Sequence, residues 1–368
     1  MINKDRLLKT FLEYVRIDSE SFHEGAMAAR LIEDLKAVGC RVWQDDTQNK
    51  TGSETGNVYA VFPGNAESEP ILLSAHMDTV VPGNKVTPVI KDGVIYSNGD
   101  TVLGGDDKSG VVAIMEAMRT IFENGLKHPT IEIAFTVCEE VGLKGSANLD
   151  YSAFTARKAA VLDSSGDAGK IMLAAPGQYK LDAAVIGKGA HAGVAPEEGI
   201  SAIQVMAEAI ANMKLLRIDE ETTANIGMIS SDFPTNIVPD RAVIRAEARS
   251  RSNAKLEAQG SHMLECLKNA CNKYGAKLEA NLVKAYDAYE HSESDEFVLE
   301  VADACRKTGI TPIFGKSGGG SDANNMNLNG IKAIVLGTGM DKVHTTAERI
   351  TIENLENTAS LVLALTTL

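Results

Sequence analysis

Apolar positions along this chain recur with two different periods, and the period switches many times. Leu7, Leu8, Phe11, Leu12 and Val15 lie at helical spacing, which predicts an amphipathic helix near the start. A second helix is predicted from Glu24 to Val38, with Ala28, Leu31, Ile32 and Leu35 as its apolar face. Ser21 and Glu24 have capping-box spacing at its start, and Gly39 supplies the stop. Short apolar runs follow at 41–43, 58–62 and 71–75, and residues 86–96 predict a hairpin turning at Asp92-Gly93. Next come a helix over 108–122, with Val111, Met115, Met118 and Phe122 aligned, and strands over 131–137 and 159–162. Strands alternating with helices predict an α/β layer structure on a mixed, largely parallel sheet.

The middle of the chain changes character. Leu181, Ala183 and Val185 alternate, a helix carrying Ile203, Ala207 and Ile210 follows, and two more alternating strands span 224–229 and 242–250. A helix over 255–274 and a strand over 277–284 complete the order β-α-β-β-α-β, a two-layer, ferredoxin-like α+β unit. The predicted organisation is therefore a first part over 1–179, an inserted domain over 180–290 and a return over 291–368, where a helix over 297–307, a strand over 331–336 and a final helix from Ile352 resume the α/β pattern.

Polar residues concentrate where predicted strands end. His76 and Asp78 follow the run "ILLSA"; Asp106 and Asp107 sit in "LGGDDKSG" at a helix entrance; Glu139 and Glu140 follow "IEIAFTVC"; Asp163 follows "AAVL"; His344 follows "IKAIVL". In an open parallel sheet, ligands gather at the carboxyl ends of the strands. Taken singly, each of these residues is explained by a cap, a turn or a structural hydrogen bond. Together they form an inventory of imidazoles and carboxylates suited to zinc-like cations. His76 and Asp163 fit one ion, His344 and a Glu a second, and an Asp a bridge between them. The remaining Glu would be free to act as a base, taking a proton from a metal-activated water and passing it to a leaving amine.

Charge and composition narrow the field. A formal net charge of −14 argues against a nucleic-acid partner, which needs clustered cations. Cys40, Cys138, Cys266, Cys271 and Cys305 are an odd, scattered set without a C-x-x-C pair, the pattern of reduced thiols in a cytoplasmic protein. The first residues lack a signal-peptide apolar core, and no apolar run approaches membrane-spanning length. A phosphate-loop reading of "GKS" at 315–317 fails because Ile310 stands where glycine is required, and "GGGSDA" lacks the glycine of a nucleophile elbow at Ala323. His23, His128, His262 and His291 have no such context and are expected at the surface.

The stretches "SAHMDTV", "GGDDKSGVVAIMEAM", "FTVCEEVGLKGS", "VLDSSG", "GKGAHAGVAPEEGISAI" and "VHTTAERI" resemble the dinuclear zinc peptidases and deacylases related to peptidase T, carboxypeptidase G and acetylornithine deacetylase. "GGDDKSG" is closest to the peptidase T branch. The resemblance implies two Zn2+ per chain, with Co2+ or Mn2+ as substitutes. It assigns His76 and Asp163 to one ion, Glu140 and His344 to the other, and Asp106 as the bridge. It makes Glu139 the general base, Asp78 the residue that orients His76, and Asp106-Asp107 a cis peptide. It also implies a homodimer through the inserted domain, with His191 and Asn236 stabilising an oxyanion and Arg249 taking a substrate carboxylate. The function expected is a cytoplasmic zinc aminopeptidase acting on short peptides such as tripeptides. Alternatives are an N-acyl-amino-acid deacylase or carboxypeptidase-like amidohydrolase of the same family, or a metal- or peptide-binding protein without turnover.

Overall fold

The structure, a computed structural model, describes residues 1–368 and divides into two compact units. One comprises Met1–Ala174, His291–Ser317 and Ser321–Leu368; the other comprises Ala175–Glu290 with Gly318–Gly320.

A mixed sheet organises the first unit. Its central strand, Ile71–His76, is buried along its whole length, as a near-continuous apolar run should be when both faces are covered. It lies parallel to Ile131–Thr136 on one side, with Ile71 opposite Ile131 and His76 opposite Thr136. On the other side it lies parallel to Lys158–Ser164, with Leu72 opposite Ala159. Lys332–Gly337 adds a further parallel strand. This shared direction brings the carboxyl ends of all four strands to one edge. Val58–Phe62 and Arg41–Gln44 extend the sheet in antiparallel fashion, and Lys170–Ala175, a strand not predicted from the sequence, pairs antiparallel with Lys332–Gly337.

Helix Gly105–Asn124 crosses behind this sheet, and Val111, Val112, Ala113, Ile114, Met115, Ala117 and Met118 within it are fully buried. A helix apolar on every side belongs inside a layer, and each buried Val, Ile or Met among these contributes roughly 1.5–3 kcal/mol. Phe122, expected to join that stripe, is instead 53% exposed, because it lies in the last turn as the helix runs out of the core. The hairpin of strands Pro88–Lys91 and Val94–Ser97 turns at Asp92 (φ 52°) and Gly93 (φ 76°), the positive angles of a tight two-residue hairpin turn. It forms a separate small sheet with Arg349–Thr351 and Met340–Asp341, the two strands that flank His344.

Ala175–Glu290 contains an antiparallel sheet in which Thr222–Ser230, Arg241–Ser250, Gly177–Ile186 and Lys277–Tyr286 are adjacent in that order. Helices Ala202–Asn212 and Asn253–Tyr274 cover one face over a core that includes Leu181, Val185, Val205, Met206, Ile244 and Leu267. Ile203 does not belong to that core. It is 47% exposed while Ala202, Val205, Met206 and Ala209 face inward, so the buried stripe is displaced from the predicted one.

Candidate metal centre

Each candidate ligand side chain arrives where a regular element begins or ends. His76 is the last residue of its strand, and Asp163 lies near the end of Lys158–Ser164. Asp106 and Asp107 occupy the first turn of helix Gly105–Asn124 but depart from helical geometry, at φ −83°, ψ 99° and φ −121°, ψ 31°. The bond between them is cis. Glu139 and Glu140 follow Cys138, whose φ of 53° turns the chain sharply after strand Ile131–Thr136. His344 also has a positive φ, 61°.

These departures converge on Asp106. Its Oδ1 lies 3.1 Å from His76 Nε2, and its Oδ2 lies 3.3 Å from His344 Nε2. His344 Nε2 is also 3.0 Å from Glu140 Oε2, and His76 Nε2 is 3.8 Å from Asp163 Oδ1. Two triads, His76–Asp106–Glu140 and His76–Glu139–Asp163, each bring their ligand atoms within 4.8 Å of one another.

Asp78 sits beneath the cluster. Its main-chain oxygen lies 2.8 Å from His76 Nδ1, and its carboxylate Oδ1 lies 3.4 Å from the same nitrogen. A proton on Nδ1 donated to that carbonyl leaves the Nε2 lone pair aimed at Asp106 and Asp163. The Asp78 carboxylate also accepts the main-chain N–H groups of Glu139 (2.9 Å) and Glu140 (3.2 Å) and the Ser21 hydroxyl (2.7 Å). It therefore orients the glutamate turn as well as the imidazole.

Electrostatics test whether cations fit. Asp106, Glu139, Glu140 and Asp163 crowd around two imidazoles, and the Asp107 carboxylate, bonded to the main-chain N–H groups of His76 and Gly110, lies just behind. Burial, followed by the charge of neighbouring Asp163, pushes Glu139 well above the usual carboxylate range; burial also raises Glu140 and Asp163. Burial opposes ionisation of Asp106 too, but hydrogen bonds with His344 and His76 hold it below the usual range. The His344 imidazole is pushed up to about 10 by its bonds to Asp106 and Glu140. For His76, burial is the largest influence and disfavours charge, yet Asp106 and Asp78 raise it well above its ordinary value. Without cations the cluster must gather protons to hold itself together. Glu140 Oε1 is moreover buried without a hydrogen-bond partner, a costly state that a coordinated cation removes. Hard oxygen and imidazole donors in this number fit a pair of divalent ions.

Two residues that support the cluster carry a sequence signal that points elsewhere. Ser21 and Glu24 were expected to form a capping box, but neither caps helix Gly25–Ala37. Ser21 bonds Asp78, and Glu24 Oε1 accepts the N–H of Cys138 at 2.9 Å and of Phe22 at 3.1 Å. The glutamate turn has drawn both away from the helix end. His128 is also not a surface residue: it is 3% exposed and stacked on Phe62 at 4.6 Å. His291 is half-buried, bonding the Ala333 carbonyl at 2.9 Å.

The remaining predicted residues lie in the second unit. His191 is exposed, and its Nδ1 accepts the Gly193 N–H at 3.2 Å. The neighbouring Ala192 N–H donates to the Asn236 carbonyl at 2.9 Å. The Arg249 guanidinium donates to Glu247 Oε1 and Oε2 at 2.9 and 3.1 Å.

Residues 72–367 match the model of peptidase family M20/M25/M40, and the chain belongs to that family. It is 43% identical to an aminopeptidase PepT of Bacillus cereus, with a TM-score of 0.92 over 99% of this chain and 98% of the other. It is 38% identical to a tripeptidase of Staphylococcus aureus, with a TM-score of 0.95 over 100% and 98% of the two chains. Peptidase T of Salmonella arizonae is 26% identical over 97% of each chain. No helix is long and apolar enough to cross a membrane.

Proposed function

We propose that this protein is a zinc-dependent aminopeptidase that removes the N-terminal residue from short peptides, tripeptides among them. The observation that carries the reading is the Asp106 carboxylate, which offers one oxygen toward each of two imidazoles at 3.1 and 3.3 Å while Glu139 stands beside them. The near-full-length likeness to an aminopeptidase and a tripeptidase supports the substrate class.

His76 and Asp163 would hold one cation, His344 and Glu140 the other, with Asp106 shared. When bound, such a pair polarises a carbonyl and acidifies a water. Glu139 takes the proton from the attacking water and returns it to the departing amine. Its buried setting suits that task, since burial raises the carboxylate's affinity for the proton it must take up and pass on. Asp78, through its bonds to the Glu139 and Glu140 amides, keeps the base and its ligand neighbour from exchanging places.

The proposal extends to a cytoplasmic homodimer formed through the Ala175–Glu290 unit, with His191 and Asn236 stabilising the oxyanion and Arg249 receiving the substrate carboxylate. Leu216 and Ile229, both exposed in that unit, support such an interface; a fully active monomer in sedimentation experiments would refute it. For the chemistry, metal-stripped protein should be reconstituted with Zn2+ and given Xaa-Gly-Gly tripeptides beside N-acyl amino acids. Release of the N-terminal residue is expected. Turnover confined to the acylated substrates would replace the aminopeptidase reading with a deacylase one.

A further inference from the structure

Glu348 has no place among the metal-facing groups, yet both its oxygens serve the loop that delivers Asp106. Its Oε2 accepts the N–H groups of Leu103 at 2.8 Å and Gly104 at 2.9 Å, and its Oε1 accepts the N–H of Asp106 at 2.9 Å. The residue is 1% exposed. It lies four positions after His344, while the amides it holds are some 240 residues earlier in the chain.

The local backbone explains why a carboxylate is needed. The first N–H groups of a helix have no partner within it, and here the entrance is further unwound by Gly104 at φ 75° and by the non-helical Asp106 and Asp107. Three donors thus point into a dry space, where each would be costly if left unpaired. One carboxylate satisfies all three, and charge-assisted bonds of this kind are short and directional. A Cβ added at Gly105 would meet Glu348 Oε1 at 3.1 Å, so loop and carboxylate are already in close contact.

We infer that Glu348 is a positioning residue for cation binding: it ties the Asp106 loop to the His344 segment, so that the two imidazoles close on opposite oxygens of one carboxylate. The inference rests on the two-cation reading above. It predicts that the bonds, rather than the bulk, of Glu348 matter. Gln has the same shape but only one acceptor oxygen, and its amide nitrogen would confront a main-chain N–H.

Glu132 provides the control. It is equally buried and accepts the N–H groups of Thr155 and Ala156 and the Thr155 hydroxyl, but it sits near the start of strand Ile131–Thr136, at the opposite end from the glutamates. Zn2+ affinity would be measured by competition with a chromophoric chelator for the native protein, Glu348→Gln and Glu132→Gln, alongside thermal unfolding of the metal-free forms. Glu348→Gln should bind at least one of two cations about 10–100-fold more weakly, the range for removing a partner that orients a ligand. Glu132→Gln should unfold at lower temperature with both affinities unchanged. Native-like affinity in Glu348→Gln, or an equal loss in Glu132→Gln, would overturn the inference. If Glu348→Gln does not fold, Glu348→Asp gives the same reading: two oxygens set one methylene too far away should still weaken binding, and unchanged affinity would count against the role. A native chain that takes up fewer than two cations would instead overturn the underlying site.

Discussion

Glu139 and Glu140 are adjacent, share Asp78 as the acceptor of their amides, and are assigned different tasks. Glu140 touches His344 and belongs with the ligands; Glu139 completes no contact with that imidazole and remains available to move protons. Replacing Glu139 by Ala should lower kcat by about 10²–10⁴-fold, the usual worth of a positioned acid or base, while zinc content stays at two per chain. Loss of a zinc instead would make Glu139 a ligand. At this scale the sequence was readable wherever a residue type stood at a strand end, as His76 and Asp163 do. It pointed Glu24 to a helix cap and was silent on Glu348, because both spend their chemistry on main-chain amides that become neighbours only after folding.

Parallel register is what turns scattered residues into one centre. Because His76 lies opposite Thr136 and both strands run the same way, the turn after each strand opens on the same edge, and hydrophobic periodicity alone located those ends to within about two residues. Helix entrances were harder. The spacing of Ser21 and Glu24 satisfied the rule for a cap, but Asp78 and Cys138 competed successfully for their side chains. The stripes through Phe122 and Ile203 were misplaced for a different reason: apolar spacing gives the face of a helix, whereas its ends and the tilt of its neighbours decide which residues that face covers. Contact between helix Gly105–Asn124 and strand Lys158–Ser164 offers a test of the element-level account. A Cβ at Gly110 would stand 2.3 Å from the Leu162 carbonyl oxygen, so Gly110→Ala must push the helix away from the strand that carries Asp163. Overpacking of this kind costs about 1–3 kcal/mol. The variant should unfold at a lower temperature and bind zinc more weakly; unchanged unfolding would show that the helix position is not set by this contact.

Across the whole molecule, a chain of net charge −14 concentrates carboxylates at the one buried edge where the four parallel strands end. A cation bound there would stabilise the folded state by an amount that grows with the logarithm of its free concentration, about 2.7 kcal/mol per site at one hundred times Kd. Chelation should therefore lower the unfolding temperature, and added Zn2+ should restore it; a midpoint indifferent to both would mean that the cluster carries no cation. The order of the elements, the inserted domain over 180–290 and the edge where the polar residues gather were visible in the sequence, while the start of the second unit at Ala175 and its share of Gly318–Gly320 came with the fold. The most direct measurement is an anomalous difference map from zinc-loaded crystals, recorded above and below the zinc absorption edge. Two peaks are expected on either side of Asp106, one shared with His76 and Asp163, the other with Glu140 and His344. A single peak, or peaks away from the Asp106 oxygens, would contradict the shared-carboxylate centre.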